Sequence, residues 1–238
     1  MNPTVARLTL RGLLGRRRGL LLLVVPALLL VVAAIASVSS ADPHDTAGNV
    51  LGALGLGTLV PILGLVVGTG VIANEIDDGS IVYLLAKPLP RWRIVTTKLV
   101  VAIGVTWLFS VIPTLLAGLL LVGTQDGVAL GYTVAVLVAG AAYSALFLLL
   151  GVVTRHAVVA GLAYALIWES TIGNFVEGAR TLSIQQWGRS VAEAVAGENA
   201  ISSDVSLGLA VPLLLVVTVA ATVFASVKLA GMTLAGEE

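Results

Sequence analysis

An all-α membrane bundle is predicted by three features of the chain. Hydrophobic residues make up 58% of its 238 positions and charged ones only 11%. Apolar runs of about 20 residues, the length that crosses a hydrocarbon core of roughly 30 Å, recur along it. Lys and Arg cluster in alternate connections. A mean hydropathy of +1.06 leaves too little polar surface to wrap a water-soluble core.

The first 18 residues read as a helix lying in the membrane interface. Val5, Leu8, Thr9 and Leu13 share one helical arc and Arg7, Arg11 and Arg18 the other, with Leu10 and Leu14 off the stripe. Six spans follow, at about 19–38, 50–73, 99–122, 129–153, 157–172 and 207–227. The apolar run from Gly19 is longer than a secretory signal core, so it reads as a retained span. Eleven of the 13 Lys and Arg fall on one side: Arg7, Arg11, Arg16, Arg17, Arg18, Lys87, Arg91, Arg93, Lys98, Arg155 and Lys228. Only Arg180 and Arg189 fall on the other, which predicts both ends in the cytoplasm.

Of the outer connections, Ser39–Asn49 and Gly123–Gly127 read as plain turns. The segment 173–206 is longer and patterned. Ser183 and Gln186 form a capping box that opens a helix ending near Gly197, with Ile184, Trp187, Val191 and Val195 on one face. It reads as an amphipathic helix on the outer membrane surface or capping the bundle. In the second span Gly64 and Gly68 form a small-xxx-small pair that admits a close helix neighbour, a candidate dimer seam or transport path.

The spans carry almost no ionisable chemistry. Glu169 is the one such residue within them, near the outer end of span five beside Trp168. It is a candidate for the transport path or, on the plainer reading, for interfacial anchoring or a local hydrogen bond. His44 and His156 lie on opposite faces, and no H-E-x-x-H occurs, so neither serine nor zinc proteolysis is supported. Cysteine is absent, which removes thiol chemistry. Asn74, Glu75, Asp77 and Asp78 are the sharpest enzyme candidate, an acidic cluster able to hold Mg²⁺ as in membrane prenyltransferases. Such a site needs a second acidic cluster, and on that face only Glu237 and Glu238 remain. No Gly-Lys pair exists, so the chain has no phosphate-cradling loop and nucleotide energy must come from a partner.

The second cytoplasmic connection, 74–98, is the most informative stretch. Gly79 and Ser80 break the chain after the acidic cluster, Ile81 to Lys87 can form about two helical turns, and Pro88 and Pro90 stop them. Arg91, Trp92 and Arg93 mark re-entry at head-group level. With Glu75, Gly79, Leu84, Leu85, Pro88, Arg91 and Lys98 at this spacing, below six spans and an interfacial helix, the chain resembles the ABC-2 type transporter permease family. Trp168 and Glu169 in span five resemble a pair found in a subset of that family.

The resemblance implies a single permease domain over 1–238 whose first cytoplasmic loop is a coupling helix docked on a separate ATPase. Ser80 to Lys87 would be the docking element, with Tyr83, Leu84 and Leu85 as anchors, Lys87 and Arg91 at the rim, and Glu75 and Gly79 as hinge. It further implies two permease copies, a homodimer being favoured, two ATPases that hold the ATP and Mg²⁺, and no cofactor or nucleic acid on this chain. Export of a lipophilic or amphipathic cargo across a bacterial inner membrane is the expected activity. A lipid or prenyl enzyme using Asp77 and Asp78, and a non-transporting anchor for an ATPase, are the alternatives.

Overall fold

The computed structural model of the chain describes residues 3–13, 15–39, 42–77, 79, 90–172, 180–197 and 200–231. Among them the regular structure is helical throughout. Helix α1 (Pro3–Leu13) starts on a proline, which loses no hydrogen bond in a first turn. Val5, Thr9 and Leu13 are its buried stripe, packed toward the long helix that begins at Arg91, while Arg7 and Arg11 face outward as the arc predicts. Leu8 is the exception: it is exposed, because the stripe that meets protein is narrower than the apolar arc.

Helix α2 (Arg16–Ser39) buries Leu22, Pro26, Leu29 and Ala33 against the bundle and leaves Leu20, Val24, Leu28, Val31 and Ile35 outside. The 39–49 connection is not a plain turn. Asp42 accepts from the backbone N–H groups of His44 (3.0 Å) and Asp45 (3.3 Å), and Pro43 supplies a preset first turn, so a short helix α3 (Pro43–Asn49) forms.

The second span begins as a π-helix over Val50–Leu59, in which Thr58 Oγ1 donates to Ala53 O five residues back (2.8 Å). It becomes regular at α4 (Val60–Gly70), where Pro61 stands in the first turn. Proline offers no N–H to the preceding register and crowds the carbonyl one turn behind, and the glycines at 52, 55 and 57 weaken the α preference there. After α5 (Ala73–Asp77), helix α6 (Arg91–Val122) starts eight residues before the predicted third span, capped by the extended Pro90. Arg91 to Lys98 are therefore its first two turns rather than the end of a loop.

Helix α7 (Val128–Val153) is the hub and packs on α4, α6 and the two helices near the end of the chain. The fifth apolar segment runs as α8 (Ala157–Ala163) and continues as a second π-helix, Tyr164–Ile172. Helix α9 (Ile184–Ala196) and helix α10 (Leu207–Ala230) complete the fold. Among the described residues five stretches are long and apolar enough to cross a membrane: Leu22–Ser39, Pro43–Gly70, Arg91–Val122, Gln125–Val153 and Leu207–Ala230. The segment from Ala157 is shorter.

Rather than resting on the membrane surface or across the end of the bundle, α9 lies along the first half of α7. Gly188 sits against Ala139, Ala192 against Gly131 and Ala196 against Gly127. A Cβ on Gly131 would come within 2.7 Å of the Ala192 carbonyl, so only glycine allows this approach. Ile184, Trp187 and Val191 are buried as the predicted face requires, while Val195 is exposed. An amphipathic pattern marks the face that leaves water, not whether lipid or protein receives it.

Candidate functional site

Two carboxylates are tied into the helix bundle, one on α5 just after the second span and one at the end of the fifth apolar segment. Helix α4 ends at Gly70, and the carbonyls of its last turn form the negative end of a helix, which attracts a cation. Lys98, on the second turn of α6, meets that need: its Nζ donates to Val71 O at 2.5 Å and pairs with Glu75 Oε1 at 2.6 Å. The Lys98 side chain is 0% exposed and that of Glu75 33% exposed. A buried ammonium is tolerable only with such partners. The clasp joins the last helix before residues 78–89 to the first helix after them, so both ends of the predicted coupling loop are held to one point.

Of the residues singled out for that loop, Glu75 is thus a clasp residue. Gly79 adopts φ +68, a left-handed conformation that favours glycine and turns the chain after α5. Arg91 opens α6 half-buried. Asp78, Ser80, Tyr83, Leu84, Leu85, Lys87 and Pro88 lie outside the described residues, as does the side chain of Asp77. Lys98 is the residue that sequence reasoning undervalued. It counted as topology charge and as part of the loop's spacing but not as a buried cation, although a lysine followed by an apolar run without a neighbouring acid already asks for a distant partner.

Glu169 is 1% exposed. Its carboxylate accepts from Tyr164 Oη (2.8 Å), from the Ser183 hydroxyl in a short hydrogen bond, and from Ile184 N (3.0 Å). Ser183 in turn accepts from Gln186 N at 3.3 Å, the predicted N-cap of α9. The carboxylate therefore sits on the positive end of α9, where helix dipole and free N–H groups stabilise an anion. Tyr143, near the middle of α7, faces the same carboxylate. Its ring stacks on Phe147 (5.9 Å), which meets Tyr164 edge-on at 6.1 Å. This latch binds the end of the fifth apolar segment to the start of α9 in the interior of the bundle.

Gly64 and Gly68 make their close approach within the chain. A Cβ on Gly64 would stand 2.9 Å from Tyr143 Cβ, and one on Gly68 2.9 Å from Phe147 Cβ and 3.0 Å from Ser144 O. Both are buried against α7, so this face of α4 is already occupied. Beside it, Ser144 donates to Thr106 Oγ1 (3.1 Å), and Trp107 Nε1 donates to Leu137 O (2.8 Å), tying α6 to α7.

A family model described as ABC-2 family transporter protein matches residues 10–174, well over half of the chain. The match runs from α1 through the clasp and ends just past the second π-helix, short of α9 and α10. No curated protein matches the sequence.

Proposed function

We propose that this chain, which belongs to the ABC-2 transporter family, is the permease subunit of an ATP-driven exporter of lipophilic or amphipathic cargo. The observation that carries the coupling reading is the clasp of Lys98 with Glu75 and Val71 O. A loop that is to deliver force needs both of its roots fixed to the helices it moves. Here α4 and α5 on one side and α6 on the other meet at a single ammonium.

On this reading residues 74–98 dock on a separate ABC ATPase through Tyr83, Leu84 and Leu85, with Lys87 and Arg91 at the rim and Pro88 ending the docking helix. ATP and Mg²⁺ are held by that partner. Closure of two ATPases beneath a homodimer of this chain tilts α4 and α6 against the hub α7. The latch at Glu169 makes the outer part of the bundle follow, because α9 cannot move without the fifth apolar segment. The chain forms one permease domain and performs no catalysis itself. It crosses a bacterial inner membrane six times with both ends in the cytoplasm, the fifth crossing being shared between the segment from Ala157 and α9. The many exposed Leu and Val of α2 and α10 suit a lipid environment and an apolar cargo route.

Co-purification tests the reading directly. The wild-type chain, co-expressed with the ATPase encoded beside it, is expected to carry that ATPase through purification. Changing Leu84 and Leu85 to Asp is expected to release it while membrane insertion persists. An ATPase that never co-purifies with the wild-type chain overturns the coupling reading.

A further inference from the structure

At the end of the bundle opposite the clasp lies a cavity of about 690 Å³, a volume in the range of small-molecule sites. Its walls are contributed by α3, the turn before α7, the start of α7, α9 from Arg189 onward and residues 200–202. Two close approaches hold them in place. Tyr132 of α7 donates its hydroxyl to Gly48 O of α3 (3.2 Å), and α9 is seated on α7 through Gly131 and Ala192. The cavity is therefore shaped by helix packing and not by the connecting segments alone.

Its lining carries charge of both signs. Arg189, one of the two basic residues of this end, projects from α9 with no ion pair or hydrogen bond among the described residues. Asp45 of α3 and Asp126 of the turn supply carboxylates. Neither closes an ion pair with Arg189; the nearest cation-capable neighbour of Asp126 is His44, at 3.5 Å. Opposite charges that face one open cavity and are kept apart can be bridged by a bound group that carries both signs. A simple anion is attracted by Arg189 but repelled by the two carboxylates, and a simple cation meets the reverse conflict. A molecule with an ammonium at one end and an anionic group at the other satisfies both.

We propose that this cavity is a binding site for a small zwitterion, its anionic group on Arg189 and its ammonium between Asp45 and Asp126. The phosphoethanolamine group has this chemistry, whether as a free solute or as the head group of a lipid. The site is independent of the ATPase reading, since it needs no partner chain.

The full chain in nanodiscs of phosphatidylglycerol, which lack an amine, is titrated calorimetrically with O-phosphoethanolamine. Saturable binding is expected, weakened about tenfold or more by Arg189→Gln and by the double change Asp45→Asn with Asp126→Asn. These side chains are exposed, so each variant should melt at the temperature of the parent. Inorganic phosphate and ethanolamine, each alone, should bind at least about tenfold more weakly. Repeating the titration in nanodiscs containing phosphatidylethanolamine separates the sources. Competition there assigns the site to a lipid head group, and undiminished binding assigns it to a free solute. The proposal is overturned by an absence of saturable binding, by full affinity in Arg189→Gln, or by phosphate alone binding as tightly as the zwitterion.

Discussion

Glu75 and Glu169 are carboxylates set among apolar helices, yet they are stabilised in opposite ways. Glu75 faces a buried ammonium whose other partner is the carbonyl end of α4, so the clasp is an ion pair closed onto the negative pole of a helix. Glu169 is served by neutral donors, two hydroxyls and the N-terminal N–H of α9, and so lies on a positive pole. In the clasp the cation is the fully buried member and depends on its acid. In the latch the acid is the buried member and depends on the geometry of a helix start. The first joins two helices across a loop, whereas the second joins the end of the fifth apolar segment to the start of α9.

Removing the acid of the clasp should have the largest effect. Glu75→Ala leaves the Lys98 ammonium buried with only a carbonyl, and a loss of about 3 to 5 kcal/mol is expected. Pairing it with Lys98→Met should restore most of that loss, read as thermal unfolding of the detergent-solubilised chain. A double variant no more stable than Glu75→Ala would mean the two residues do not act as a pair.

The latch should be the milder of the two. Glu169→Gln keeps an acceptor oxygen for Ser183 and Ile184 but removes the charge assistance, so about 1 to 3 kcal/mol is expected. Hydrogen exchange should rise first in the opening turn of α9. If protection is instead lost uniformly along α6 and α7, the latch is not local to α9. Gly68→Ala sharpens the contrast from a third side, since the added methyl group meets Phe147 Cβ and the Ser144 carbonyl. Overpacking of about 1 to 3 kcal/mol should follow without change in α9 exchange. Ser183→Ala is expected to cost least, about 1 kcal/mol, because Glu169 still accepts from Ile184. A loss as large as that of Glu169→Gln would make the hydroxyl, not the carboxylate, the centre of the latch.

Much of this architecture was legible before any coordinates. The ranges of α7, α10 and the fifth apolar segment follow the apolar runs closely, and Ser183 with Gln186 located the start of α9 within a residue. The Asp42-Pro43 pair that caps α3 carried an equally plain signal, which a reading of the segment as a turn passed over. The π-helix of the second span was legible only as its glycines and Pro61, and that of the fifth segment, which has one glycine and no proline, was not legible at all, because a π-register depends on where the displaced carbonyls find room.

Local sequence alone determined which residues leave water, where helices start and stop, and which end of the bundle is basic. Those properties arise within a few turns, from hydropathy, capping side chains and the charge at each connection. Tertiary structure alone decided that Lys98 pairs with Glu75, that α9 lies inside the bundle along α7, and that Gly64 and Gly68 are consumed by a contact within the chain. The physical reason is that lipid tails and protein interior are equally apolar. Hydropathy can therefore say that a face is dry without saying what it touches, and a buried charge finds its partner only when distant helices meet.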